Sequence, residues 1–271
     1  MMTNTKPAFP SFFVMSDIHG CYDEMMQALT HWDKDNETLV VLGDLIDRGP
    51  DSLRVVQALR ALQTDYPEKV VVLQGNHDEM FARWLVETDP NDLGFYYMTT
   101  HNETIKSFFG QGPEALAKYK NSTRTQRAEH IRYLYMDSVR FLYNLPLYHE
   151  TEHCIFVHAG INLKIDDWHQ DTTCMNTVLN AFIYGSVPTP KRVFFGHTPG
   201  AFIRNVEPHE PGANDVWQNE AGDRIGIDGA VSMNGQLNAL KVDANGHIVE
   251  TIVVKLNTWD YLREDEANAT V

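Results

Sequence analysis

Five short apolar runs each end, on their carboxyl side, in a glycine-flanked cluster of polar residues. They are Ser11-Phe-Phe-Val-Met15 before Ser-Asp17-Ile-His19-Gly, Thr38-Leu-Val-Val-Leu42 before Gly-Asp44, Val70-Val-Val-Leu73 before Gln-Gly-Asn76-His77-Asp, Cys154-Ile-Phe-Val157 before His158-Ala-Gly, and Arg192-Val-Phe-Phe195 before Gly-His197-Thr. Aliphatic and aromatic runs without alternation suit strands buried on both faces. Ligands of open α/β sheets bind beyond the carboxyl ends of the strands, so residues from Asp17 to His197 can converge on one site.

Between the first three runs, Tyr22 to Trp32 and Ser52 to Gln63 space their apolar residues as amphipathic helices do, and Asp51-Ser52 after Gly49-Pro50 marks a helix start. From about 88 to 140 the strand pattern stops. A polar, mostly helical segment is expected there, a cap inserted into a single domain spanning 1–271. Its aromatics (Phe95, Tyr96, Tyr97, Phe108, Phe109, Tyr119, Tyr133, Tyr135) read as core. Val187 to Lys191 and Asn205 to Asp223 are expected as loops. Ile225 to Asp228, Leu237 to Val242 and His247 to Val254 read as strands, the last two joined by a turn at Ala244-Asn245-Gly246. The expected fold is α/β, with mixed sheets, parallel early and antiparallel late, packed as a central sandwich flanked by helices.

Lys and Arg number 22 against 37 Asp and Glu, a net charge of -15 that disfavours long nucleic acids. The apolar stretch near the start is far shorter than the ~20 residues of a membrane span, and no basic segment precedes it, so a cytoplasmic protein without membrane attachment is expected. Cys21, Cys154 and Cys174 form no C-x-x-C pair. Six positions beyond each stands Gln27, Gly160 or Asn180, so there is no Cys-x5-Arg nucleophile loop, and no Gly-x4-Gly-Lys phosphate loop occurs either. The carboxylates, imidazoles and amide at the run ends suit a hard-to-borderline dinuclear N/O metal site.

Together, Asp17-Ile-His19-Gly20, Gly43-Asp44-Leu-Ile-Asp47-Arg48-Gly49, Gly75-Asn76-His77-Asp78, Val157-His158-Ala-Gly160 and Gly196-His197-Thr198 resemble the signature of the calcineurin-like metallophosphoesterases, in their phosphoprotein phosphatase branch. Small bacterial members include serine/threonine-type protein phosphatases and diadenosine tetraphosphate hydrolases. Ile227-Asp228-Gly-Ala-Val, followed by Gly235-Gln-Leu-Asn-Ala-Leu240, is similar to their last strands. The resemblance implies two divalent metals (manganese, iron or zinc), with Asp17, His19 and His197 on one, Asn76 and His158 on the other, and Asp44 bridging. It further implies hydrolysis by a water ionised between the metals, with His77 as general acid, Asp47 paired to it, and Arg48 gripping phosphate. The substrate expected is a phosphorylated protein. The alternative is a dinucleoside polyphosphate, and more remote readings are a phosphodiesterase or a non-catalytic regulatory protein that binds metal.

Asp78 reads as a helix cap, and Gly110-Gln-Gly112-Pro-Glu-Ala115 as a loop despite its likeness to a dinucleotide fingerprint. The other histidines, among them His101, His130 and His169, lack a strand-end context. The family's second phosphate-gripping Arg has no counterpart between Cys174 and Ile183, where Leu179 takes its place; Arg132, Arg140 and Arg192 are candidate substitutes.

Overall fold

A computed structural model describes residues 11–87, 102–176, 180–186 and 188–256. Strands are numbered in chain order. β1 (Ser11–Met15) pairs in parallel with β2 (Glu37–Val41), which pairs in parallel with β3 (Val70–Val72). On its other side β1 is antiparallel to β9 (Gln236–Val242), and β9 to β10 (Ile248–Lys255). In the second sheet, β4 (Tyr148–Glu150), β5 (Cys154–Val157), β6 (Arg192–Phe195), β8 (Arg224–Gly226) and β7 (Trp217–Gln218) lie in that order, with β5, β6 and β8 mutually parallel.

Side chains two apart along a strand share a face, and each face here has its own partner. Phe12, Val14, Val40 and Leu42 meet Phe156, Phe194 and Ile225 between the two sheets. Phe13, Met15, Leu39 and Val41 turn the other way, into a core shared with α1 (Tyr22–Leu29) and α2 (Ser52–Asp65). Ile155, Val157, Val193 and Phe195 face a third cluster with Trp168 and Phe182. Each fully buried side chain of this kind contributes about 1.5–3 kcal/mol. Burial on both faces explains why these strands are uninterrupted apolar runs.

α3 (Asn76–Val86) starts directly after the third run. Farther on, α4 (Glu103–Ser107), α5 (Pro113–Asn121) and α6 (Arg124–Tyr143) place Ile105, Phe108, Tyr119, Ile131 and Leu142 in the same core as α2 and the outer face of β1 and β2. α6 opens on a capping box, in which Thr123 Oγ1 accepts the Gln126 N–H and Gln126 Oε1 accepts the Thr123 N–H. Tyr133 is 87% exposed, an exception to the reading of the segment's aromatics as core; Phe95, Tyr96 and Tyr97 lie outside the described residues.

Three local expectations are corrected. β7 lies inside the stretch expected to be loop, and β4 was not expected, because strands of two or three residues show no periodicity and exist through pairing with β8 and β5. The segment expected as loop through Ala115 is helical from Pro113, whose fixed φ suits the first turn of a helix. Among the described residues, no helix is long and apolar enough to cross a membrane.

Candidate active site

The chain bends sharply at six of the site residues. Asp17, His19, Asp44, Asp47, Arg48 and His197 all have φ between +46° and +71°. Each left-handed residue of this kind costs roughly 1–2 kcal/mol, so neighbouring structure must hold it. Cross-strand hydrogen bonds do so: the Asp17 N–H donates to Gly43 O at 3.1 Å and the His19 N–H to Asp44 O at 2.9 Å. The His197 N–H donates to the Asp17 carboxylate at 3.0 Å, and the His77 N–H to Asp44 Oδ1 at 3.1 Å. Two glycines permit the closeness. A Cβ on Gly196 would stand 2.0 Å from Asp17 Oδ2, and one on Gly75 2.2 Å from Asp44 Oδ1.

Carbonyl oxygens fix two imidazole tautomers. His19 Nδ1 donates to Ile46 O at 2.7 Å and His158 Nδ1 to Leu42 O at 2.8 Å, so in the neutral rings each Nε2 presents a lone pair. Burial keeps them neutral, pushing the pKa of His19 well below the ordinary imidazole value, that of His158 down, and that of His197 down to about 4. His158 Nε2 then faces Asn76 Oδ1 at 3.0 Å, His197 Nδ1 at 3.2 Å and Asp44 Oδ1 at 3.4 Å. His19 Nε2 faces Asp44 Oδ2 at 3.5 Å. Burial would raise the Asp44 pKa, but the positive charge that the surrounding histidines carry once protonated, that of His158 foremost, holds it below the usual carboxylate range. Asp17 is raised well above that range by burial and by Asp228 and Asp44. Acceptors converging on acceptors fit cations. Two groups, His19/Asp44/His77 and Asp44/His158/His197, could each hold a metal ion, and Asp44 belongs to both.

Beside them lies a second arrangement. His77 Nδ1 is 2.7 Å from Asp47 Oδ2. Burial would depress the His77 pKa, yet the bond to Asp47 and the charges of Asp44 and Asp47 outweigh it and raise the pKa above the ordinary value. The Arg48 guanidinium donates to the Nε2 of His19 and stands 3.2 Å from that of His77. Asp47 Oδ1 accepts at 2.6 Å from Thr104 Oγ1, on α4.

The structure thus gathers Asp17, His19, Asp44, Asp47, Arg48, Asn76, His77, His158 and His197. It corrects one grouping, since the His197 side chain does not join Asp17 and His19. Its backbone touches Asp17, while Nδ1 lies 2.9 Å from Asn76 Oδ1, because the left-handed turn at His197 points the ring toward the ends of β3 and β5. Asp78 is not the N-cap of a helix starting near Glu79: α3 starts at Asn76, and Asp78, within its first turn, completes a capping box by accepting the Gly75 N–H at 2.9 Å and also accepts the Leu45 N–H at 3.0 Å. Burial, with Asp44 nearby, pushes it up to about 8.

None of the three substitute arginines is brought to the cluster. Arg132 donates to Leu85 O at 2.8 Å, Arg140 lines a surface pocket with Arg60 and Pro146, and Arg192 starts β6, whose far end carries the site. Leu179 and His101 lie outside the described residues. Sequence reading missed Thr104 and Ser52, which contact Asp47, and Ser16, which donates to Asp17. A hydroxyl inside a helical segment carries no positional signal in sequence. Asp228, buried and pushed up to about 6, was noticed within its motif but given no role.

A family model described as calcineurin-like phosphoesterase matches residues 10–232. The bis(5'-nucleosyl)-tetraphosphatase PrpE (asymmetrical) of Anoxybacillus flavithermus is 26% identical over 275 residues, which cover 93% of this chain and 96% of that protein. A candidate diadenosine tetraphosphatase of known structure aligns with a TM-score of 0.54 at 17% identity, over 92% of this chain and 95% of its own. A protein serine/threonine phosphatase from Saccharomyces cerevisiae aligns with a TM-score of 0.52 at 15% identity, over 93% of this chain and 82% of its own. At such identities the two structures speak for the fold alone.

Proposed function

The chain belongs to the calcineurin-like phosphoesterases, hydrolases of phosphoric esters, and from that membership we propose that it is a dinuclear metal-dependent phosphatase acting on phosphate monoesters of the phosphoserine and phosphothreonine type. The observation that carries this reading is the His77–Asp47 pair beside Arg48. A serine or threonine alkoxide is a far poorer leaving group than a nucleotide phosphate, so an imidazole set to deliver a proton matters most for an ester.

Asp17 and His19 would hold one metal ion, Asn76, His158 and His197 the other, with Asp44 between them. Two divalent cations bound there would polarise the phosphoryl oxygens and ionise the attacking water. Arg48 orients the phosphoryl group through its planar fork of donors. With Asp47 holding the Nδ1 proton, His77 gives a proton from Nε2 to the departing oxygen, and Asp47 stabilises the imidazolium that carries it.

The 26% identity to a dinucleoside tetraphosphatase along nearly the whole chain favours a second reading, hydrolysis of a dinucleoside polyphosphate. Protein loaded in turn with manganese, iron or zinc, assayed on phosphoserine and phosphothreonine peptides, diadenosine tetraphosphate and bis-p-nitrophenyl phosphate, separates the possibilities. Higher kcat/KM on the phosphopeptides is expected. Preference for diadenosine tetraphosphate would establish the second reading, preference for the diester would overturn both, and no turnover of any substrate would leave a non-catalytic binding protein.

A further inference from the structure

We propose that Thr104 is a positioning residue for the proton-delivering pair, so that a helix outside both sheets sets the geometry of the proton donor. The inference rests on the reading of His77 as general acid.

The Thr104 hydroxyl is fully buried and has all its hydrogen-bonding capacity engaged. Its Oγ1 donates to Asp47 Oδ1 at 2.6 Å and accepts the Asp47 N–H at 2.8 Å, and it lies 3.0 Å from Ser52 Oγ. Since its single proton serves Asp47, Ser52 is the donor between the two hydroxyls. Thr104 therefore grips Asp47 at both ends, by backbone and by carboxylate. Asp47 and Arg48 are consecutive left-handed residues, at φ 71° and 69°, in a conformation that needs such restraint. With Oδ1 held by Thr104, Oδ2 is aimed at His77 Nδ1.

The helix that carries Thr104 is itself tied to the start of α2. Ser107 Oγ donates to Thr104 O at 2.7 Å and accepts the Leu53 N–H at 3.1 Å, while Gln111 Nε2 donates to Asp51 Oδ1 at 3.1 Å. Ile105 and Phe108, on either side of Ser107, are buried in the core shared with α2 and β1. Position is thus passed from packed core to hydroxyl, from hydroxyl to carboxylate, and from carboxylate to imidazole.

The test compares Thr104→Val, Thr104→Ala and Thr104→Ser with His77→Asn in metal-loaded protein, on phenyl phosphate and on 2,4-dinitrophenyl phosphate, with bound metal counted by elemental analysis. Thr104→Val and Thr104→Ala are expected to lower kcat on phenyl phosphate by on the order of 10-fold. On the dinitrophenyl ester, which leaves without protonation, kcat should hardly change, and KM and metal content should stay the same. Thr104→Ser, which restores the hydroxyl, should restore the rate. Thr104→Ala supplies the readout should the valine protein not fold, and thermal unfolding midpoints report on folding. If His77→Asn shows the leaving-group dependence and the folded Thr104 variants do not, the positioning role is overturned while the acid stands. Equal loss on both esters, or no rescue by serine, overturns it too. Absence of leaving-group dependence in His77→Asn would instead remove the acid on which the inference rests.

Discussion

His158 Nε2 lies 3.4 Å from Asp44 Oδ1 with no proton to share, because the proton of the neutral ring is on Nδ1 and donated to the carbonyl of Leu42. Asn76 Oδ1 crowds the same lone pair at 3.0 Å. Folding therefore assembles mutual repulsion that a cation bound there would relieve, which would tie stability to metal and, on the proposed function, to catalysis.

Manganese or zinc should accordingly raise the thermal midpoint of metal-free protein. At a hundredfold excess over Kd the gain is about 2.7 kcal/mol. Differential scanning fluorimetry reads it, and chelation should abolish hydrolysis. Asp44→Asn, which removes the carboxylate common to both groups, should lose the metal-induced rise together with activity. Full activity in protein shown by elemental analysis to be metal-free would sink the mechanism.

Proton competition for the three imidazoles proposed to bind metal should begin at unusually low pH. Burial pushes His197 down to about 4 and His19 and His158 below their ordinary value, so the neutral form of His197 prevails above about 4 and those of His19 and His158 persist below the ordinary imidazole pKa of about 6.5. The metal-induced rise should persist at about pH 5.5 and fade toward about pH 4. Loss centred near an ordinary imidazole pKa would contradict the assignment.

His77→Asn should keep both metals and slow hydrolysis of poor leaving groups by roughly 10² to 10⁴. His77 Nε2 is 4.0 Å from Asp44 Oδ2, near enough for a metal ligand, so the variant decides between the two roles. Emptying of a metal site, by elemental analysis, would make His77 a ligand instead of the acid.

Arg48→Ala should lower kcat/KM by on the order of 10², roughly 3 kcal/mol, with metals retained. Arg132→Ala, Arg140→Ala and Arg192→Ala should not match it, since those side chains are engaged elsewhere or stand at the wrong end of a strand. A near-neutral Arg48→Ala on every active substrate would dismiss the phosphate clamp.

Gly196→Ala probes the close approach of two strand ends. An alanine Cβ would stand 2.0 Å from both Asp17 Oδ2 and Ser16 Oγ, so the carboxylate must move. Reduced metal occupancy is expected in a folded protein, measured by elemental analysis and circular dichroism. Unchanged occupancy would show that Asp17 does not bind metal.

Much of this was legible along the chain because it follows from local chemistry. Runs such as Cys154–Val157 and Arg192–Phe195 must be buried on both faces and fall in register as strands, and the polar residues directly after them can only emerge at the carboxyl edge. The residue types at those ends suited a dinuclear metal site, and phosphate chemistry was implied by the resemblance to the calcineurin-like metallophosphoesterases. What sequence could not decide was which side chains meet. The His197 ring turns to Asn76 and His158 because its backbone is left-handed and its N–H is bound by Asp17, 180 residues earlier in the chain. Thr104 reaches Asp47 across 57 residues because core packing presses its helix against α2. Period and composition report the face a residue turns to its own element. The partner it finds there is set by packing among distant segments, which leaves no pattern in a single chain.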